Sequence, residues 1–142
     1  MGNKHIPVIY WDSSAVLSVL FEDGHSADAL NWSRQQGIHL VSSLVYAEVC
    51  GVISRFKRER ILADILLAAA YEAIEKGSWR QIHVHPDRSL MKKTASKRSL
   101  RGAALWHLCA VLSLKQQLPE IRLLTFDERL KKAAKDENLS LD

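Results

Sequence analysis

The sequence predicts an α/β fold, a three-layer sandwich with a central parallel sheet of about four to five strands flanked by helices. Two observations lead there. Short strand-like stretches recur at 6–11, 38–41, 79–84 and 121–125, and longer stretches with apolar residues at helical spacing separate them. The first run, Ile6-Pro7-Val8-Ile9-Tyr10-Trp11, is interrupted by Asp12-Ser13-Ser14 before helical spacing takes over. A carboxylate therefore stands between a buried strand and a helix start, where water solvates it poorly. No internal repeat, low-complexity segment or linker divides the chain, and residues 1–142 read as one domain, long enough to bury a core.

Strand one is expected over 6–11, with Pro7 tolerated at its start. From Ser13 or Ser14 onward, Val16, Leu17, Leu20 and Phe21 give a helix that the turn Glu22-Asp23-Gly24 ends. His25 to Gln36 is expected to form a second helix with Leu30 inward and Gly37 as its C-cap. A short strand at 38–41 follows. Ser42 or Ser43 then caps a third helix, whose Val45, Val49, Val52, Ile53 and Phe56 fall on one stripe. Glu48 lies at the edge of that stripe, and Arg55, Lys57, Arg58 and Arg60 make a basic corner beyond it. The spacing next predicts a long helix over 61–76 that buries Leu62, Ile65, Leu66 and Ala69. A third strand over 79–84 closes at Pro86, and a polar, basic helix covers 87–97. The helix from Arg101 to about Lys115 is apolar nearly all round and belongs at the centre. Pro119 breaks the chain, 121–125 is the fourth strand, and Asp127 starts a terminal helix with Leu130 and Ala134 inward.

A make-up of 47% hydrophobic and 25% charged residues is that of an ordinary globular protein. No apolar run approaches the roughly 20 residues that span a bilayer, so no membrane partner is expected. Met1-Gly2-Asn3-Lys4-His5 leads directly into a strand, without the apolar core of a secretory leader. Cys50 and Cys109 are far apart in helical patterns and read as reduced core thiols of a cytoplasmic protein. A formal net charge of +4 and a pI near 9.2 admit a polyanionic partner without requiring one.

In open parallel sheets functional groups gather outside the carboxyl ends of the strands. Asp12 ends strand one, Asp127 follows strand four, and Glu48 lies on the first turns of the helix after strand two. Taken singly, Asp12 and Asp127 are explained as N-caps and Glu48 as a boundary residue with its head in water. Three carboxylates from three βα units at one edge of one sheet make a coincidence that caps do not explain.

These stretches carry a resemblance. Tyr10-Trp11-Asp12-Ser13-Ser14-Ala15-Val16-Leu17 resembles the opening hydrophobic-Asp-Ser/Thr-Ser-Ala motif of the PIN-domain nucleases, and within them of the VapC-type toxins of bacterial toxin–antitoxin pairs. Ser43-Leu44-Val45-Tyr46-Ala47-Glu48-Val49 resembles the segment with the family's second acid, and Leu123-Leu124-Thr125-Phe126-Asp127-Glu128-Arg129-Leu130 its closing Thr-x-Asp-x-x-Leu motif. The resemblance spans essentially the whole chain, in order. It implies a PIN-like fold and Mg²⁺-dependent endonucleolytic cleavage of RNA. Asp12, Glu48 and Asp127 would hold Mg²⁺ (or Mn²⁺) directly or through waters, and Ser14 and Thr125 would orient carboxylates or waters. The residue chemistry allows this. Clustered carboxylates repel and are best held ionised by a hard cation, which can polarise a phosphoryl oxygen and acidify a bound water.

One motif departs from the family. Its third acid stands in a stretch like Leu-Arg-x-x-Asp-x-x-His-Leu, and here that stretch is Leu100-Arg101-Gly102-Ala103-Ala104-Leu105-Trp106-His107-Leu108. Arg101 and His107 fit, Ala104 occupies the acid position, and no carboxylate lies between Arg98 and Glu120 to replace it. Losing an anionic ligand weakens cation binding, so two readings stand: a ribonuclease with impaired activity, or a catalytically inactive PIN-like protein that binds RNA or an antitoxin. Ala104 itself has two accounts, natural degeneration or an Asp→Ala change made so that a toxic nuclease could be produced.

The resemblance further implies a cognate antitoxin docked on the early helices and a homodimer formed through them. Lys92, Lys93, Lys97, Arg98 and Arg101 form a basic run that either guides RNA phosphates or keeps a face solvated. Arg101, beside the expected site, is the first candidate for a phosphate contact. His83 and His85 read as a structural pair and His107 as a satisfied core residue. Trp32, Trp79 and Trp106 read as core or interface aromatics.

Overall fold

A computed structural model describes residues 6–141; Met1–His5, the stretch read as holding no secretory leader, and Asp142 lie outside the described residues. Among the described residues the elements run β1 (Val8–Trp11), α1 (Ser13–Leu20), α2 (Ser26–Ser33), β2 (Ile38–Ser42), α3 (Ser43–Arg58), α4 (Asp64–Lys76), β3 (Trp79–Ile82), α5 (Arg88–Lys97), α6 (Gly102–Leu114), β4 (Ile121–Leu124) and α7 (Glu128–Asp136). The four strands are parallel in the order β3-β2-β1-β4, and helices flank the sheet. This is the expected three-layer sandwich.

β1 lies inside the sheet, with Tyr10 opposite Leu40 of β2 and Leu123 of β4. All four of its residues are buried, which is why it reads as an unbroken apolar run rather than an alternating one. From β1 the chain winds outward through β2 and β3, then returns to the other side of β1 at β4. The strand order therefore reverses between β1 and β4, and a crevice opens at their carboxyl ends.

Side-chain oxygens start the helices around that edge. Asp12 accepts from the Ala15 N–H at the start of α1, and Ser42 accepts from the Val45 N–H at the start of α3. Asp87 caps α5, and Asp127 accepts from the Arg129 and Leu130 N–H groups of α7. At the far edge the Leu123 N–H donates to the Leu139 carbonyl at 2.8 Å, so the returning C-terminal segment covers the open side of β4.

Several expectations shift. β1 begins at Val8, and Ile6 is exposed. α2 is shorter than expected, and Ala29 rather than Leu30 is its fully buried residue. Gly37 does not cap α2, whose C-cap is Arg34. A Cβ at Gly37 would stand 2.7 Å from the Pro7 carbonyl oxygen, and the Ile38 N–H bonds that same oxygen at 2.8 Å, so the glycine permits a close backbone approach beside β1. α4 buries Leu67, Ala70 and Ile74, whereas Ile65 and Leu66 are 77% and 53% exposed and Ala69 is exposed too. The helix restarts at Asp64 after a turn at Arg60 with φ 52°, so a periodicity counted from Ile61 crosses a break and lands on the wrong face. β3 stops at Ile82, leaving His83 and His85 exposed beyond it. α6 is buried only from His107 to Val111; its first turn opens onto the crevice.

Candidate active site

Asp12 is 4% exposed and engages both carboxyl oxygens. Oδ1 accepts from the Ser14 hydroxyl at 2.7 Å and the Ala15 N–H at 3.0 Å, and Oδ2 accepts a short bond from the Thr125 hydroxyl. Thr125 Oγ1 in turn accepts from the Asp127 N–H at 3.0 Å, and Ser14 Oγ accepts from the Phe126 N–H at 2.9 Å. The end of β1 and the segment after β4 are thus laced together through one buried acid. Burial pushes the Asp12 carboxyl above its ordinary range, against the pull of the hydrogen bonds from Ser14, Thr125 and Ala15. Asp87, an exposed cap with similar local bonds, is instead held below that range by the Ser89 hydroxyl and the Leu90 N–H.

Glu48 comes to the same edge from α3 by another route. Its Oε1 lies 2.8 Å from His107 Nε2; His107 Nδ1 lies 2.7 Å from the Tyr10 hydroxyl, which lies 2.8 Å from Ser42 Oγ. An ionised carboxylate can only accept, so Nε2 carries the proton. With a neutral ring, Nδ1 must then accept from the Tyr10 O–H, and the Tyr10 oxygen accepts from the Ser42 O–H. The polarity of the whole chain follows from its carboxylate end. Burial pushes the Tyr10 phenol upward, and the nearby Asp12 and Glu48 carboxylates push it the same way, so it stays a donor. Tyr10 and His107 are the organising residues that sequence reasoning missed. His107 was legible as a motif residue and as a satisfied core residue but not as the partner of Glu48, and the pointer to Tyr10 was a hydroxyl inside a buried strand.

Asp127 is exposed and caps α7 through Oδ1. Together with Ala104, Arg101 and Arg129 it lines a hollow of about 290 Å³ at the mouth of the crevice. The structure therefore places Asp12, Ser14, Thr125 and Asp127 in one network and sets Ala104 and Arg101 beside Asp127. Glu48 belongs to the second chain of bonds, with His107, Tyr10 and Ser42. It does not gather three donors onto one point: among the described residues no group of three or more His, Cys, Asp or Glu side chains is placed to hold a metal ion. That includes His83 and His85. The donors suit a hard divalent cation in kind, being carboxylate oxygens, and a cation would offset the cost of ionising buried Asp12. In number they are short at position 104, where the side chain is a methyl group.

The family model of the PIN domain matches residues 9–136. Comparison with curated proteins finds no match. Among solved structures the chain is similar to VapC20 of Mycobacterium tuberculosis, described as a Sarcin-Ricin loop cleaving toxin, at 14% identity over 88% of this chain and 94% of that one, with a TM-score of 0.56. It is similar to PAE2754 from Pyrobaculum aerophilum at 18% identity over 92% and 81%, TM-score 0.59. It is also similar to VapBC2 from Rickettsia felis, solved bound to a DNA fragment from their promoter, at 12% identity over 88% and 92%, TM-score 0.57. At such identities the likeness is one of fold.

Proposed function

The chain belongs to the PIN-domain family, and from that premise we propose that it is a VapC-type endoribonuclease toxin, Mg²⁺-dependent by design, whose cleavage is impaired by Ala104. One observation carries the reading: Asp12 buries a whole carboxyl group at the reversal point of the sheet, tied through Thr125 to Asp127. A helix cap needs a single oxygen and can sit on the surface, as Asp87 does. Burying both oxygens of Asp12 costs stability that capping α1 alone does not require.

On this reading Asp12, Glu48 and Asp127 hold Mg²⁺ or Mn²⁺, in part through waters. When bound, such an ion polarises a phosphoryl oxygen and makes hydroxide accessible near neutral pH. The chain's own residues do the rest. Ser14 and Thr125 fix the Asp12 carboxyl in one orientation, and His107 holds one oxygen of Glu48. Arg101, in the hollow beside Ala104, contacts a substrate phosphate. Residues 1–142 act as a single PIN-like domain in the cytoplasm. Among the described residues Cys50 and Cys109 are free thiols, and no helix is long and apolar enough to cross a membrane. A cognate antitoxin and a second copy of the chain are its protein partners, supported by an apolar groove of about 610 Å³ on α1, α3 and α4.

Ala104 favours a second reading, a catalytically silent PIN-like protein that binds RNA or its antitoxin. The deciding experiment compares this chain with Ala104→Asp on mixed RNA, with Mg²⁺ or Mn²⁺ and with chelator. Cleavage gained by the Asp variant and abolished by chelator is the expected result. Absence of cleavage from both would overturn the nuclease reading and leave the binding one.

A further inference from the structure

The hollow beside Ala104 does not end at the acids. It adjoins a second hollow of about 410 Å³, and the two share Leu100 and Arg129. A continuous trough thus runs from Asp127, between the turn joining α5 to α6 and the outer face of α7, to the end of α5. Its walls are basic. Lys97 and Arg101 stand on one side, with Arg129 and Lys132 on the other, three residues apart on the same face of α7. All four are exposed, and none of them forms an ion pair among the described residues.

Arg98 stands apart from these. Its guanidinium bonds Asp136 at 3.1 Å and Glu137 at 3.3 Å, bracing the end of α5 against the end of α7. The brace offsets the acids at that end and fixes the separation of the walls. It removes Arg98 from the residues available to a ligand and leaves Lys97, Arg129 and Lys132 as the unpaired cations of the outer trough. Acids reappear only at the inner end, with Asp127 and Glu128. The charge order is cations along the path and carboxylates at its end, which is what a strand of phosphates leading to a cation-holding site requires.

From this we propose that the trough between the α5–α6 turn and α7 is the docking track of a single RNA strand, with Lys97, Arg129 and Lys132 contacting successive phosphates as the strand leads to Asp127. The proposal rests on the RNA reading given above and adds where the strand lies. Chemistry argues against a protein occupant here. Protein interfaces centre on buried apolar and aromatic anchors, and this trough offers Leu100, Ala104 and Ala133, with no aromatic ring. Nucleic-acid interfaces are polar and strongly basic. The molecule's apolar groove lies elsewhere, on α1, α3 and α4.

Because the track grips phosphates, the test needs no cleavage and uses the chain as it stands. Binding of a fluorescent, mixed-sequence single-stranded RNA is titrated at several salt concentrations for the chain, for Lys97→Glu/Arg129→Glu/Lys132→Glu, for the matching Gln triple and for Lys135→Glu. Lys135 is exposed on α7 but does not line the trough. The Glu triple is expected to weaken binding at least about tenfold near 0.1 M salt. It should also lower the slope of log K against log salt by about 2, roughly 0.7 for each phosphate no longer neutralised. The Gln triple should weaken binding less, in the same direction, and Lys135→Glu should change affinity less than about twofold. Single-stranded DNA of the same sequence should lose affinity in parallel. If the triples fold as the parent by circular dichroism and thermal melting yet bind RNA no more weakly than Lys135→Glu, the track is wrong and the RNA reading survives. If neither the parent nor Ala104→Asp binds RNA at low salt, both fall.

Discussion

Asp12 is the residue on which structure and chemistry pull against each other, and its burial has a pH consequence. A carboxyl raised in the folded state keeps its proton while the unfolded chain has already lost it. The folded state then binds more protons than the unfolded one, so stability falls as pH rises from the ordinary carboxylate value of 3.8, until the folded group ionises. Asparagine cannot ionise. The unfolding free energy of Asp12→Asn minus that of the parent should therefore grow with pH across that window and then level off, all other carboxylates cancelling in the difference. A flat difference in urea titrations would falsify this. Saturating Mg²⁺ should narrow the gap at neutral pH, because a ligand of the folded state alone stabilises it. The relay beside Asp12 makes a second prediction. His107→Leu leaves the Tyr10 hydroxyl with Ser42 as its one partner and unpairs Glu48, and should cost about 2 kcal/mol; Tyr10→Phe should cost about 1 kcal/mol. The double variant should cost less than the sum, which a double-mutant cycle measures. Asp12, Glu48 and Asp127 were legible because strand ends and helix starts are local events in sequence. The relay was not, since it joins residues 97 and 59 positions apart and no periodicity connects them.

At the scale of elements, the ends of α3 and α7 share one geometry. The Ile61 N–H reaches the Phe56 carbonyl at 2.9 Å and the Arg60 N–H reaches Lys57 at 3.2 Å; Leu139 to Ala134 and Asn138 to Lys135 repeat the pattern. These are Schellman ends, which put the residue after the cap in the left-handed region: Arg60 at φ 52° and Asn138 at φ 59°. Asparagine tolerates that region and arginine does so at a cost. Arg60→Gly should stabilise the protein by about 0.5–1 kcal/mol, the relief of strain exceeding the added freedom of the unfolded chain. Asn138→Gly should gain less. Urea midpoints at constant m-value decide it, and a lower midpoint for Arg60→Gly would sink the idea. The same arginine explains why α4 was misread. Without a glycine to mark where the turn ends, the apolar spacing of Ile61, Leu62, Ile65 and Leu66 reads as a helix that already begins at Ile61, three residues before α4 does. Gly37 misled in the opposite sense, since a glycine after a helical stretch suggests a cap and here serves a backbone contact beside β1. β1, β2, α5 and α7 were legible because apolar run, capping oxygen and helical spacing agree there.

The whole molecule separates two surfaces of opposite chemistry. Basic side chains line the trough between α5 and α7, whereas the hollow on α1, α3 and α4 is lined by Phe21, Phe56, Leu62 and Leu66. Ile61 and Leu66, which line it, stand 52% and 53% exposed, Ile65 beside Leu66 on α4 is 77% exposed, and Phe21 packs edge-on against Phe56 with ring centres 5.0 Å apart. A contiguous apolar face of this kind is costly to leave in water, which supports the partner surface proposed above. If that partner is a second copy, the chain should sediment as a dimer and Ile65→Glu/Leu66→Glu as a monomer. Because both side chains already face solvent, the double variant should lose no more than about 0.5 kcal/mol per site in unfolding free energy. It should also keep its affinity for single-stranded RNA per protomer, since neither residue borders the basic trough. A variant that stays dimeric would move the self-association surface away from α4. A parent chain that is monomeric at every concentration would leave the apolar face to a different protein, and titration of the two chains with the proposed antitoxin would then show whether the same substitutions abolish that complex.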